Sequence, residues 1–250
     1  MKAVILAAGE GVRLRPLTLT RPKHLLPVGG KPLLEHLLLS VKAAGLDEAL
    51  IVVHHMADRI REHFGDGSQV GMKLEYALQP EVRGTADAIR PAESHVEGNF
   101  LLVYGDLLVT PGAVRQVLQA HERERPSISM GVVSVEHPER YGAVKLEGSY
   151  VKDIVEKPRP GEASGLPVNA GIYVFPPDIF EKLRETKSSP RGEFEVTDSL
   201  RLMIREGRRV ATVQIAQEDW FEVGCPWDLL EANRRVLGQL KLQVKGQVED

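Results

Sequence analysis

The sequence predicts an α/β chain built on a mixed, mainly parallel central sheet with helices on both faces. Three observations predict it. Short apolar runs at residues 3–6, 49–53 and 100–104 read as buried strands. Between them lie stretches whose apolar residues recur at helical spacing, the pattern of strand–helix–strand units with right-handed crossovers. A chain of 250 residues with 42% hydrophobic content can bury a core of that size.

Taken in order, the strand at residues 3–6 runs straight into a loop with Gly9 and Gly11. Lys31-Pro32 opens a helix carrying Leu33, Leu34, Leu37, Leu38 and Val41, and Gly45 closes it. Residues 49–53 form a strand, 57–64 a short helix, and 73–78 an alternating strand. Residues 85–96 read as helix, and 100–104 as a strand ending at Gly105-Asp106. Arg123-Glu124-Arg125 reads as a solvated helix end. The second half is richer in strands. Segments 127–135, 142–146 and 151–156 look paired, with Gly148-Ser149 turning between the last two. A strand at 169–175 precedes helices at 178–185 and 195–206, then strands at 210–215 and 220–223. Pro226 starts a final helix to about residue 240, with residues 227–230 expected in the core. Residues 161–167 and 188–192 are loops within a single domain spanning 1–240, followed by a polar tail at 241–250.

Composition narrows the class. A net charge of −3 provides no basic field to hold nucleic acid. A single cysteine, Cys225, rules out an intramolecular disulfide framework and suits a reducing compartment. No stretch approaches the ~20 apolar residues that span a bilayer, and the first apolar run is too short for a signal peptide. The expectation is a soluble cytoplasmic protein with a small-molecule ligand and no nucleic-acid or membrane partner. His54, His55 and His63 do not make an H-E-x-x-H zinc motif.

The glycine loop points to a phosphate ligand. Glycine lets backbone N–H groups close around an anion, Arg13 can fork onto phosphate oxygens, and Lys23 supplies a point charge. It is not a dinucleotide loop, because Leu14 stands where G-x-G-x-x-G needs its third glycine. A P-loop Gly-Lys-Ser/Thr is also missing. The fuller string runs Leu6-Ala7-Ala8-Gly9-Glu10-Gly11-Val12-Arg13-Leu14, then Pro16-Leu17-Thr18 and Pro22-Lys23. It resembles the N-terminal signature of the sugar-1-phosphate nucleotidylyltransferases, the nucleoside-diphosphate-sugar pyrophosphorylases.

That resemblance extends to about Asn233 and implies a Rossmann-like, three-layer nucleotide-diphospho-sugar transferase fold. It implies transfer of a nucleoside monophosphate from a nucleoside triphosphate to a sugar-1-phosphate, with Mg²⁺ as cofactor and release of pyrophosphate. Arg13, Lys23 and Asp106 become the catalytic candidates. Leu6, Ala8, Gly9, Gly11, Gln79, Gly84 and Thr85 become the nucleotide-binding set. Gln79 has the donor and acceptor that a pyrimidine edge needs, and Thr85 is placed either for the base or as a helix cap. Gly142, after Tyr141, lines the sugar pocket; in Glu-Lys-Pro, Glu156 accepts from sugar hydroxyls and Lys157 meets the sugar phosphate, while Asn169 supplies an amide for the sugar and Gly171 leaves room for it. Asp106 is the metal aspartate. A second ligand falls at Glu222 in Trp220-Phe221-Glu222-Val223-Gly224, where relatives usually carry aspartate. Gly-Thr-Ala-Asp-Ala after Gln79 resembles UDP-sugar-forming members, so the expected pair is UTP with N-acetylglucosamine-1-phosphate. The alternatives are dTTP with glucose-1-phosphate and GTP with mannose-1-phosphate, or a non-catalytic nucleotide-sugar-binding subunit. The resemblance also leaves room for a homo-oligomer, and in some relatives a β-helix domain begins near the polar tail.

The chemistry agrees with these residue types. A phosphate monoester, with a second pKa of about 6, is already largely ionised at neutral pH and needs no general base to attack. The obstacle is repulsion between two polyanions, which positioning and positive charge must overcome.

Overall fold

The computed structural model describes residues 1–239. The expected tail at 241–250, and the last expected residue of the domain, lie outside the described residues. Strands β1 (Ala3–Ala7), β2 (Pro27–Val28) and β3 (Lys31–Pro32) lead into helix α1 (Leu33–Ala43). Then come β4 (Glu48–Val53), α2 (Ala57–Phe64), β5 (Lys73–Leu78), α3 (Thr85–Ile89), β6 (Phe100–Tyr104), β7 (Leu107–Val109) and α4 (Pro111–Glu124). The second half runs β8 (Ile128–Val133), β9 (Gly142–Glu147), β10 (Tyr150–Glu156), β11 (Val168–Phe175), α5 (Ile179–Glu185) and α6 (Val196–Arg205). It closes with β12 (Val210–Ile215), β13 (Trp220–Glu222) and α7 (Pro226–Gly238).

Nine strands form one mixed sheet in the order β5-β4-β1-β6-β11-β8-β12-β10-β9. The first four are parallel, and β11 then runs antiparallel to β6 and β8. Alternation along each strand divides the core into two faces. Ala3, Ile5 and Ala7 of β1 face Leu34, Leu37, Leu38 and Val41 of α1 with Val114 and Val117 of α4. Val4 instead joins Ile89 of α3, Ile179 and Leu183 of α5, and Leu200 of α6. The result is helix, sheet, helix. A smaller cluster of Leu14, Val28, Leu33, Val223 and Leu229 anchors α7 beside the β2–β3 hairpin.

Three expectations need correction. The helix expected over residues 85–96 stops at Ile89 and continues as a 3₁₀ segment, Arg90–His95, because Pro91 lacks the N–H that an α-helix would use. Helix α4 was marked in the sequence only by its charged end, although Thr110 caps it by accepting from the Ala113 amide at 3.3 Å. Trp227 and Leu230 are not core residues. They are 66% and 75% exposed, and α7 buries Asp228, Leu229 and Ala232 instead.

Candidate active site

Strand direction explains why distant residues meet. In the parallel half of the sheet the carboxyl ends of β1, β5 and β6 lie along one edge, and they deliver Ala8-Gly9, Gln79 and Gly105-Asp106 to it. Strand β11 runs the other way, so its beginning, Asn169 to Gly171, reaches the same edge. Glu156 pairs with Gly142, and Val168 with Ala143, which draws β9, β10 and β11 together at this end. The short β7–β13 ladder pairs Leu107 with Glu222, and the Val223 amide donates to the Asp106 carbonyl at 2.9 Å. Two carboxylates 116 residues apart are thereby set side by side.

The product is one cleft of about 560 Å³. It is walled by Leu6, Ala8, Gly9, Arg13, Lys23, Gln79, Gly84, Thr85, Asp106, Gly142, Glu156, Lys157, Asn169 and Glu222. Of the expected site residues only Gly11 stays out of the wall. It lies beneath the loop at φ +66°, where a Cβ would stand 3.0 Å from Thr18 and 3.1 Å from Lys23. Sequence reading missed Arg140, Glu193, Glu195, Tyr104 and Trp220, which also line the cleft.

Charges are dense around Lys23 and Asp106. Lys23 and Asp106 form an ion pair, and Arg13 Nη2 lies 3.7 Å from Glu222 Oε1. Burial works to raise the Asp106 pKa, but the charge and hydrogen bond of Lys23 hold it below the ordinary value. Glu222 is pushed the other way, by burial and then by the Asp106 charge, against Lys23 and Arg13. These two acids supply hard oxygen donors that already repel one another. Magnesium binds through one or two carboxylates plus phosphate oxygens and water, and this donor set fits it. Among the described residues no cluster of three or more His, Cys, Asp or Glu offers an all-protein cage.

A clasp holds the part of the wall that carries Gly84 and Thr85. The Phe194 amide donates to the Arg83 carbonyl at 2.7 Å, and the Ala86 amide donates to the Phe194 carbonyl at 2.8 Å. Thr85 is therefore not the helix cap. Its Oγ1 accepts from the Val196 amide at 2.9 Å, tying α3 to the start of α6. Gly84 sits at φ +117°, with Phe194 O only 2.5 Å from where a Cβ would be. Gly84→Ala should thus cost about 2 kcal/mol or more through backbone strain and clash, read as a lowered midpoint in urea. Gln79 is 1% exposed, and its Nε2 donates to Asp87 Oδ2 at 3.0 Å, which holds the amide in one orientation. Gly171 lines the cleft, and its missing Cβ also makes room for Tyr104, whose ring atoms lie 2.7–2.8 Å from where that Cβ would be.

The wall around Glu156 is acidic. Burial, and then the Glu195 charge, raise the Glu156 pKa, opposed by a hydrogen bond from Thr197 Oγ1 to Glu156 Oε2 at 3.0 Å. Arg191 Nη2 donates to Glu195 Oε1 at 2.9 Å. Lys157 holds φ at +46°, a conformation non-glycine residues seldom adopt, while its amide donates to the Tyr141 carbonyl at 2.9 Å. A folded-state pKa above the unfolded one means that folding disfavours the ionised acid. The stability it contributes is complete below the unfolded value, near 4.3, and is lost as pH rises. Glu156→Gln should therefore raise Tm at pH 7–8 by about 2–4 °C, with the gain vanishing toward pH 4.

The nucleotidyl transferase family profile matches residues 2–239. The bifunctional protein GlmU of Methanocaldococcus jannaschii is 35% identical over all of this chain, which spans 58% of that relative's length. Glucose-1-phosphate thymidylyltransferase of Streptomyces griseus is also 35% identical, again over the whole chain and over 70% of its own length. A solved UDP-glucose pyrophosphorylase complexed with UDP-glucose superposes with a TM-score of 0.85 at 25% identity, covering 96% of this chain and 99% of that one. No helix among the described residues is long and apolar enough to cross a membrane.

Proposed function

The chain belongs to the nucleotidyl transferase family, and on that premise we propose that it joins a nucleoside triphosphate to a sugar-1-phosphate, forming a nucleoside-diphosphate sugar and pyrophosphate. The observation that carries the reading is the single cleft that Arg13, Lys23 and Asp106 share with Glu156, Lys157 and Asn169. One phosphate oxygen of the sugar-1-phosphate attacks the α-phosphorus in line. The bond from that phosphorus to the β-phosphate bridging oxygen breaks, and the electron pair leaves with pyrophosphate. No proton needs to move, so no general base is required.

Arg13 holds the β- and γ-phosphates by bidentate contact, and Lys23 neutralises the charge that develops around the α-phosphate. Asp106 and Glu222 would hold a magnesium ion, which when bound supplies positive charge against the phosphate oxygens. Gln79 and Thr85, steadied by Asp87 and the Phe194 clasp, face the base. Lys157 meets the sugar phosphate, Glu156 accepts from sugar hydroxyls, and Asn169, whose Oδ1 accepts from the Gly171 amide, offers its Nδ2 to the sugar as a donor. UTP and N-acetylglucosamine-1-phosphate are the preferred pair. The Streptomyces griseus relative supports a second reading, dTTP with glucose-1-phosphate. Pyrophosphate release across a panel of triphosphates and sugar phosphates separates them, and binding without release under every pairing would favour a nucleotide-sugar-binding subunit.

Glu222 is the departure from the usual aspartate. Glu222→Asp draws the carboxylate back by one methylene from Arg13 and should lower kcat by about tenfold, since small errors of position at such a site are costly. A rise in kcat would mean that the native glutamate handicaps the enzyme.

A further inference from the structure

His24 is an anomaly beside this site. It is 1% exposed, and neither ring nitrogen has a protein hydrogen-bond partner among the described residues. Burial, and then the neighbouring Lys23, push its pKa down to about 3, so the ring is neutral. Each buried polar atom left unpaired costs stability that a leucine would not lose. The ring nevertheless sits against the metal strand. A Cβ on Gly105 would stand 3.2 Å from His24 Cδ2, so the ring edge that carries Nε2 lies along the backbone one residue before Asp106.

The ion pair above it explains what the ring could be for. In the described state Lys23 occupies Asp106. Lys23 also runs under the glycine loop, with its Nζ 3.6 Å from where a Gly9 Cβ would be. It therefore stands between the carboxylate and the place where the proposed nucleotide phosphates arrive. When Lys23 turns to those phosphates, Asp106 loses its partner while the neutral imidazole beneath still has an unused N–H to give. We propose that His24 is a positioning residue: its ring N–H takes up the Asp106 carboxylate when Lys23 leaves it, and holds that carboxylate in the orientation a divalent ion requires. The inference rests on the metal role proposed for Asp106.

The test compares His24→Leu with His24→Gln, which keeps a donor. The first readout is the Tm of the metal-free protein, and the second is Mn²⁺ affinity measured by electron paramagnetic resonance with saturating UMP present, whose phosphate draws Lys23 off Asp106 without any reaction. His24→Leu should raise Tm by a few degrees, about 2–6 °C, and weaken Mn²⁺ binding by about tenfold or more, the usual loss when a group supporting a metal ligand is removed. His24→Gln should stay within about threefold of wild type. Unchanged Mn²⁺ affinity in His24→Leu overturns the proposal. So does a fall in both Tm and affinity, which would make the ring a packing element. If the leucine variant does not fold, His24→Met against His24→Gln carries the same comparison. Absence of Mn²⁺ uptake by wild type would also overturn it, and with pyrophosphate release intact the proposed activity would still stand.

Discussion

Lys23→Ala is expected to lower pyrophosphate release by about 10³-fold or more. The estimate follows from what positive charge does in a phosphoryl-transfer site, where one cation is worth about 10³–10⁵ in rate. Lys23 is largely buried, its side chain being 13% exposed, so its charge is poorly screened and no mobile ion replaces it easily. The substitution also leaves Asp106 without its partner, so part of the loss could come from structural change around the carboxylate. Lys23→Met also leaves Asp106 unpaired but keeps the packing of the stem, so its stability read beside its activity separates the two causes. A comparable loss with an unchanged urea midpoint would place the effect on the reaction, whereas a mild loss, within tenfold, would move the neutralising role to another cation of the cleft.

Asp106→Ala is expected to reduce turnover to background, about 10³-fold below wild type or lower, while nucleotide binding partly survives. The loss should be nearly non-additive with Lys23→Ala, because the two side chains form one pair and act on the same phosphate. Raising Mg²⁺ should not rescue Asp106→Ala, since Glu222 alone offers a carboxylate whose ionisation burial opposes. Turnover at the wild-type level in this variant would sink the assignment of Asp106 to a metal.

Much of this arrangement was legible in the sequence, and the reason is topological. Parallel strands put their carboxyl ends on one edge, so reading 3–6 and 100–104 as strands was enough to bring Gly9 and Asp106 near each other. The Glu156–Gly142 pairing likewise followed from a hairpin with Gly148-Ser149 at its turn. What stayed hidden depends on contacts between segments that no local pattern links. Glu193 and Glu195 follow a stretch that reads as loop, and they enter the cleft because the Phe194 backbone clasps residues 83–86. Arg140 stands over the Tyr141 ring at 5.9 Å, a contact set by a 3₁₀ turn at Pro138–Arg140. Trp227 and Leu230 look like core by composition, yet the face that α7 buries is set by Leu229 and Ala232 meeting the β2–β3 hairpin. The Lys23–Asp106 pair and the unpaired ring of His24 have no sequence signature, because they arise where two loop segments meet.

The most direct test of the account is pyrophosphate release by the wild-type chain with Mg²⁺, UTP and N-acetylglucosamine-1-phosphate, run beside other triphosphate and sugar-phosphate pairs and beside Asp106→Ala. The account predicts release that requires both substrates and the divalent ion, for at least one pair, and that disappears in Asp106→Ala. Nucleotide binding with no release under any pairing, or release that Asp106→Ala leaves untouched, would contradict it.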